Sequence, residues 1–534
     1  MTVSIFNDVI GPIMRGPSSS HCAAALRIGR LARDLAHRRF DEVLVEFDNA
    51  GSLPTTHQSQ GSDMGLFGGL LGWEADDERL PDSKKHLADA GIKIEFVYGD
   101  YGDAHPNTYR LTLKNDQTNC SLIAISTGGG MIEVIELEGM PVKLDGGFDE
   151  TLVYLTIDRQ ANEPTTMEPI RQQFLAIDSV AAANYYEPQN ILHVQSTRAI
   201  SDESIFDLLD NDSVANIVRL QPVLPVRSQL PVTGSRPVPF LTCREMEQYQ
   251  ESKELSLSEL AIEFESARGA MSKTDVVNQM VRIVNILRKS LSEGLAGTEY
   301  DDRVLGFQSG KFAEQMQQSK LIDAGIVNRI VLYTTALMEI KSSMGVIVAA
   351  PTAGACAALP ATCIAIGDVN GLSDEEIAEG MLAAGMIGVF IAHAWSFAAE
   401  VGGCQAEGGS ASAMAAAAAV TYSGGSQKQA TAAASMALQN MLGLICDPVA
   451  NRVEAPCLGK NVMAASNAIC CANMAMSGFD ALIPLDETID AAKRVSAMMP
   501  REHRCTGLGG LSTTPTSLKI MEQLACGQHK CGSC

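Results

Sequence analysis

The sequence predicts a multidomain protein: an α/β N-terminal domain, a small ferredoxin-like (ACT-like) α+β module and a large all-α C-terminal domain. Three observations carry this. At 534 residues the chain is too long for one hydrophobic core. Period-two apolar alternation is confined to its first 220 or so positions. After a Pro-rich segment, alternation gives way to helical periodicity and Ala-rich runs such as Met414 to Ala419. The expected divisions are 1–150, 151–222, a linker over 223–245, and 246–534.

In the first division, Asp41 to Phe47 and Ile92 to Tyr98 read as strands, the latter with Ile92, Ile94, Phe96 and Tyr98 on one face. Tyr109 to Leu113 and Ser121 to Ser126 are further strand candidates. Ser18 to His37 reads as a helix with a Ser-rich start, carrying Arg27, Arg30 and Arg33 on one side. From Thr151 to Pro222 the order is strand, helix, strand, helix, strand, with Leu152 to Ile157 and Ile191 to Ser196 the clearest. An ACT-type module of this kind binds amino-acid effectors. Pro222, Pro225, Pro231, Pro237 and Pro239 forbid a helix or central strand between Gln221 and Pro239, so that stretch reads as an extended linker.

Charge narrows the function. The net charge of −23 repels nucleic acid and anionic membrane, which argues against a nucleic-acid role. Residues Met1 to Asp8 lack the basic-then-apolar pattern of a signal peptide, so a cytoplasmic location is expected. Thiols stay reduced there, and 14 cysteines then need a role other than disulfides. Eleven of them lie at or after Cys356, which points to metal chemistry in the second half. Gly345 to Gly367 and Met381 to Ala399 are uncharged and long enough to cross a bilayer. They are rich in Ala and Gly, interrupted by Pro351, Pro360 and His393, and lack basic flanks. Buried helices are the better reading, without membrane association.

Three cysteines stand out by context. Cys404 follows Gly402-Gly403, Cys446 precedes Asp447-Pro448, and Cys457 follows Pro456. Each lies at a break between helical runs, where backbone amides and a thiolate can point at one spot. Their spacing matches no general zinc or ferredoxin rule, and a buried cysteine packing as a small hydrophobe is equally compatible with the residues alone. Ser18-Ser19-Ser20-His21 offers hydroxyls and amides that could cradle a carboxylate, or an ordinary helix N-cap. Cys356 and Cys363 share a helix face and read as core, as does Cys470-Cys471. His105 reads as holding a turn with Pro106, and Cys505 is ambiguous.

Along nearly the whole chain these segments resemble the iron–sulfur-dependent L-serine dehydratases (L-serine ammonia-lyases), in their single-chain form. The resemblance rests on Gly16-Pro17-Ser18-Ser19-Ser20-His21, Gly51-Ser52-Leu53, His105-Pro106-Asn107 and Gly128-Gly129-Gly130. It continues through Ser343-Met344-Gly345, Ala350-Pro351-Thr352-Ala353-Gly354-Ala355, Gly403-Cys404-Gln405, Cys446-Asp447-Pro448-Val449 and Pro456-Cys457. It implies that the all-α domain is catalytic and that Cys404, Cys446 and Cys457 bind three irons of a 4Fe–4S cluster. The fourth iron stays open as a Lewis acid for the substrate hydroxyl. Ser18, Ser19, Ser20, His21, Asp63 and Asn107 become candidates for contacting an amino-acid substrate, with His21 as base. Cys534, the last residue, becomes the candidate cap of the fourth iron, on a tail that also holds Cys526 and Cys531. The implied reaction turns L-serine into pyruvate and ammonia, and the apolar helical half implies a homodimer. The pattern departs at Gln60, which stands where the family has histidine, and at Gln439, Asn440 and Asn467. Those changes leave L-threonine and L-cysteine open as substrates. An amino-acid-sensing binding protein is the alternative from another class.

Overall fold

The computed structural model describes residues 2–156, 167–209, 211–226, 238–251, 253–269 and 271–528. Cys531 and Cys534, and most of the Pro-rich stretch, lie outside them.

The N-terminal half is built on a six-stranded sheet of β2 (Glu42–Asp48), β3 (Lys93–Gly99), β4 (Thr108–Lys114), β5 (Asn119–Gly128), β6 (Met131–Leu137) and β7 (Met140–Leu144), in the order β3-β2-β4-β5-β6-β7. Only β2 and β3 run parallel, and the other neighbours are antiparallel. On β4 and β5, Tyr109, Leu111, Leu113, Leu122 and Ala124 turn to the core, as period-two burial requires. Helices α1 (Ala24–Leu35) and α2 (Ser62–Leu70) pack on each other, and α1 covers that face. The turn before α1, Ser19–Ala23, is π-helical, a wider winding that often marks functional sites.

A second sheet holds β8 (Asp149–Leu155), β9 (Val180–Tyr186), β10 (Ile191–Ser196) and β11 (Val214–Leu220), in the order β11-β8-β10-β9. Helices α3 (Glu168–Leu175) and α4 (Asp202–Phe206) make the connections. This is the ferredoxin-like order, with one strand more than the alternation predicts. The addition is β9, which pairs with the expected β10 in a hairpin whose register runs from Tyr186 opposite Ile191. Half-buried alanines in Val180–Tyr186 mask the apolar periodicity there.

Beyond residue 240 the chain is helical, apart from β12 (Ile347–Val348). The long elements are α5 (Leu257–Gly269), α6 (Lys273–Ala296), α7 (Ile326–Ser342), α8 (Ala358–Asn370), α9 (Asp374–Ala394), α10 (Ser410–Tyr422), α11 (Gln427–Gln439), α12 (Cys457–Met476) and α13 (Leu485–Met498). Capping chemistry sets several starts: Ser373 with Glu376 opens α9, Ser426 with Gln429 opens α11, and Ser272 caps α6. Helix α10 is buried all round from Ser410 to Val420, and its alanines let α9, α11 and α12 close on it. The two membrane-length helices, over Ala353–Asn370 and Asp374–Ala394, are 83% and 78% buried inside the protein, as core helices are. Cys356, Cys363 and Cys471 are buried as expected, but Cys470 is exposed on the outer side of α12.

The first residues belong to the helical half. Strand β1 (Ile13–Met14) pairs antiparallel with β12. The π-helical turn Ile5–Val9 is capped by Ser4, whose hydroxyl reaches Glu265 Oε1 at 2.7 Å. Gly385 and Gly388 open a groove in α9 for it. A Cβ at Gly385 would stand 2.6 Å from the Ile5 side chain, and one at Gly388 would stand 2.1 Å from Val9.

Candidate active site

The Ser-rich loop leads into the π turn, and its side chains form one bonded group. Ser18 Oγ lies 2.9 Å from His21 Nδ1, and Ser20 Oγ lies 3.2 Å from the same atom. His21 Nε2 lies 2.9 Å from Thr56 Oγ1. Thr56 gives its own proton to Ser52 O at 2.8 Å, so it accepts from Nε2–H. That assigns the ring proton to Nε2 and leaves the Nδ1 lone pair facing Ser18 and Ser20. The ring is fully buried, and burial holds its pKa below the ordinary histidine value against the pull of Glu400. Ser20 Oγ donates to Glu400 Oε1 at 2.7 Å, and Ser19 Oγ accepts from Ala353 N at 3.2 Å. The loop is thereby fastened to the helical half.

Asn107 is buried and joins through Ser52, whose hydroxyl bonds its Oδ1. Its Nδ2 has no partner, and neither does Glu400 Oε2. A buried donor and a buried acceptor left free are costly unless a ligand completes them. Asp63 sits one residue further away, with its Oδ1 2.6 Å from His57 Nδ1, while His57 Nε2 meets Tyr98 OH at 2.8 Å. His105 holds the turn as expected, accepting from Asn107 N at 3.2 Å.

The cysteines gather beside this group. Gly403, at φ +68°, turns the chain after the short helix Ala399–Gly402. It hands Cys404 to a third π turn, Gln405–Gly409. Gln405 N donates to Leu444 O at 2.9 Å, and Gly443 N donates to Gln405 Oε1 at 2.9 Å, which binds the Cys404 and Cys446 segments together. Cys404, Cys446 and Cys505 pack together in one buried cluster, and the two neighbouring thiols push the Cys446 pKa far up. Cys457 opens α12; burial and then the field of Cys404 raise its thiol. Asn461, one turn on, bonds Cys457 O at 2.9 Å and Gly354 O at 2.8 Å.

Charges surround the thiols. Lys460 Nζ lies 3.7 Å from Cys404 Sγ, 2.6 Å from Asp447 Oδ1 and 2.7 Å from Ile445 O. Burial opposes its charge, but Cys404 and Asp447 outweigh burial and raise its pKa. Glu407 takes a hydrogen bond from Thr352 Oγ1 at 2.7 Å, and burial pushes its carboxyl up to about 7. Gln60 Nε2 donates to Cys505 Sγ at 3.2 Å. The altered Asn440 and Asn467 bond each other at 2.8 Å, so of these departures it is Gln60 that touches a site cysteine.

The donor set fits an iron–sulfur group. The thiols are buried, unpaired by disulfides, carried on separate helix breaks, and faced by a lysine that favours thiolate. Among the described residues, no three His, Cys, Asp or Glu side chains converge on a single ion. Sequence reasoning missed Glu400, Glu407, Thr56, Lys460 and the placement of Cys505. The two glutamates flanking Cys404 in an otherwise uncharged stretch were the available signal.

Residues 252–512 match the family model described as serine dehydratase alpha chain. A probable L-serine dehydratase alpha chain from Bacillus subtilis (strain 168) is 35% identical over 285 residues, 53% of this chain and 95% of the relative. The beta chain from the same organism is 42% identical over 150 residues, 28% of this chain and 67% of that one. An L-serine dehydratase from Streptomyces coelicolor is 31% identical over 519 residues, 96% of this chain and 99% of the relative. The chain belongs to the iron–sulfur L-serine dehydratase family. It is therefore an enzyme of the lyase class. This one polypeptide carries regions similar to the separate alpha and beta chains of Bacillus subtilis. The bonds from Ser20 to Glu400 and from Gln60 to Cys505 run from the N-terminal part of the chain into residues 252–512.

Proposed function

We propose that the enzyme dehydrates and deaminates L-serine to pyruvate and ammonia, with Cys404, Cys446 and Cys457 as ligands of a 4Fe–4S cluster. The observation that supports this best is the packing of Cys446 against Cys404 in one buried cluster, on the segment whose Glu400 bonds the Ser-rich loop. When bound, the cluster supplies an iron with an open position that acts as a Lewis acid on the β-hydroxyl.

The chain's own residues do the rest. Ser18, Ser19 and the free Asn107 Nδ2 offer donors to the substrate carboxylate, while Ser20 spends its proton on Glu400 at the edge of the same site. Glu400 Oε2 is a free acceptor for the ammonium group. His21 Nδ1 is the neutral nitrogen that takes the Cα proton. Ser18 occupies that lone pair at 2.9 Å, so a carboxylate that draws the Ser18 hydroxyl away exposes the base. Carboxylate capture and proton removal are thus linked. Thr56 keeps the ring in the required tautomer. Asp63 acts at one remove by orienting His57. Loss of the proton and the hydroxyl leaves aminoacrylate, which becomes an imine and takes up water to give pyruvate and ammonia.

The ferredoxin-like module is proposed as an ACT-type effector site, and the enzyme as a cytoplasmic homodimer. The deciding experiment is anaerobic reconstitution with iron and sulfide, then an assay of 2-oxo acid release from L-serine, L-threonine and L-cysteine. Pyruvate from L-serine at the highest kcat/KM is expected. Release from none of the three would overturn the reading.

A further inference from the structure

We propose that the cavity between α1, α6 and the first residues of the chain is a binding site for a small carboxylate with an apolar body. It lies outside the sheet of the ferredoxin-like module, so it is additional to the effector site proposed there, and it does not depend on the iron–sulfur reading. The cavity measures about 340 Å³ and is walled in part by the chain from Pro222 to Pro225. Two helices face each other across it with polar side chains at i, i+3 spacing: Arg27 and Arg30 on α1, Gln279 and Arg282 on α6. Glu74 and Asp76 also line it. Phe6, Ile10, Leu26, Leu224 and Ile283 supply the apolar wall.

Arg27 carries the inference. It is 3% exposed, and its Nη1 donates to Gly130 O at 2.5 Å and to Met131 Sδ at 3.6 Å. Its Nε and Nη2 make no hydrogen bond among the described residues, and no carboxylate there stands within ion-pair reach. Burial pushes its pKa down to about 10, and the field of Asp8, acting at longer range, partly offsets this. The other arginine buried to a similar degree, Arg268, holds Glu265 at 3.6 Å. A buried cation with no anion beside it is costly, and an incoming carboxylate removes that cost. Arg30 is already matched by Glu74 at 2.6 Å, while Arg282 and Gln279 make no hydrogen bond among the described residues. Unspent guanidinium donors on both helices suit the two oxygens of one carboxylate. Asp76, exposed and on the same wall, disfavours a second negative charge. The apolar side chains favour a ligand with a hydrocarbon body over a bare ion. An occupant on Arg27 also bears on the helix that the Ser18–His21 loop opens.

The test is calorimetric titration of the full chain, reconstituted anaerobically with iron and sulfide, against isocaproate. This carboxylate has no hydroxyl, amino or oxo group with which to engage the serine site. Wild type is expected to bind one molecule per chain. Arg282→Gln is expected to weaken binding about tenfold, and Arg27→Met to abolish it. Acetate, with the same charge and almost no apolar body, is expected to bind about tenfold more weakly than isocaproate, or worse. A wild-type chain that takes up no isocaproate would overturn the inference. Binding that both variants retain unchanged would do the same, by placing the carboxylate elsewhere on the molecule. Acetate binding as tightly as isocaproate would overturn the assigned ligand class. Should Arg27→Met fail to fold by circular dichroism, Arg282→Gln decides alone: its side chain is exposed and makes no bond among the described residues, so loss of affinity supports the site and full affinity overturns it. None of these outcomes bears on the dehydratase reading, which is decided by 2-oxo acid release.

Discussion

Ser20 donates its hydroxyl proton to Glu400 Oε1 at 2.7 Å, joining residues 380 positions apart in sequence. The bond spends one carboxylate oxygen on the serine loop and leaves the other free. Removing it frees Glu400 to turn from the substrate ammonium. A hydrogen bond to a charged group contributes about 1.5–3 kcal/mol, so Ser20→Ala is expected to lower kcat/KM roughly 10- to 100-fold. Steady-state pyruvate release, with circular dichroism to confirm folding, checks this.

His21 should leave its mark on stability as a function of pH. Its folded pKa is lowered by burial from 6.5, so the unfolded chain binds a proton that the folded chain refuses. Its contribution to stability is complete above pH 6.5 and falls as pH drops through and below that value. His21→Gln should remove this part of the acid destabilisation, read as a shallower fall in urea midpoint. If His21 is the base, the same variant abolishes turnover at every pH.

Glu407 works in the opposite sense. Its pKa rises from 4.5 to about 7, so the folded chain keeps a proton that the unfolded chain releases. Stability tied to that proton is present below pH 4.5 and lost as pH climbs to about 7. Glu407→Gln retains an acceptor for Thr352 and cannot ionise. It should be more stable than wild type above pH 7 and equal to it in acid, measured by urea midpoints at both ends.

Gly388 faces Val9 where a Cβ would meet the valine at 2.1 Å. Val9 is fully buried and β-branched, so it has no other rotamer to retreat to. Gly388→Ala should cost about 1–3 kcal/mol through overpacking. A lowered Tm, with the ratio of iron to protein unchanged in what remains folded, is the expected pattern.

Lys460 ties the Cys404, Ile445 and Asp447 positions with one ammonium group. Lys460→Met keeps the stem but removes the positive charge that favours thiolate. Iron content per chain after reconstitution should fall, and the loss should exceed any change in Tm.

The fold was legible where burial has a single period. The alternation of Tyr109, Leu111 and Leu113 gave β4, and the Ala-rich runs gave the helical half. Strand β9 was hidden because Ala182 and Ala183 give alternation little contrast. The cysteine segments were readable from their Gly and Pro breaks. Glu400 and Cys505 were not, because their significance is created by contacts across hundreds of positions, and Thr56 was not because its bond to His21 joins two separate turns 35 positions apart. Gln60 was noticed as a departure, but its partner Cys505 lies 445 residues away and only the fold joins them.

The docking of Ile5–Val9 into α9 sets the order in which the molecule can be finished during synthesis. The turn is made long before its groove, which is complete only when Ala394 has been added. At a translation rate of about 5–20 residues per second, that interval is roughly 20–80 s. Throughout it Ile5, Phe6 and Val9 have no permanent berth, and the Ser18–His21 loop behind them cannot meet Glu400. Ribosome-bound chains of this length are thus natural clients for chaperones that shield apolar N-terminal segments, and the reaction centre is among the last parts of the protein to exist.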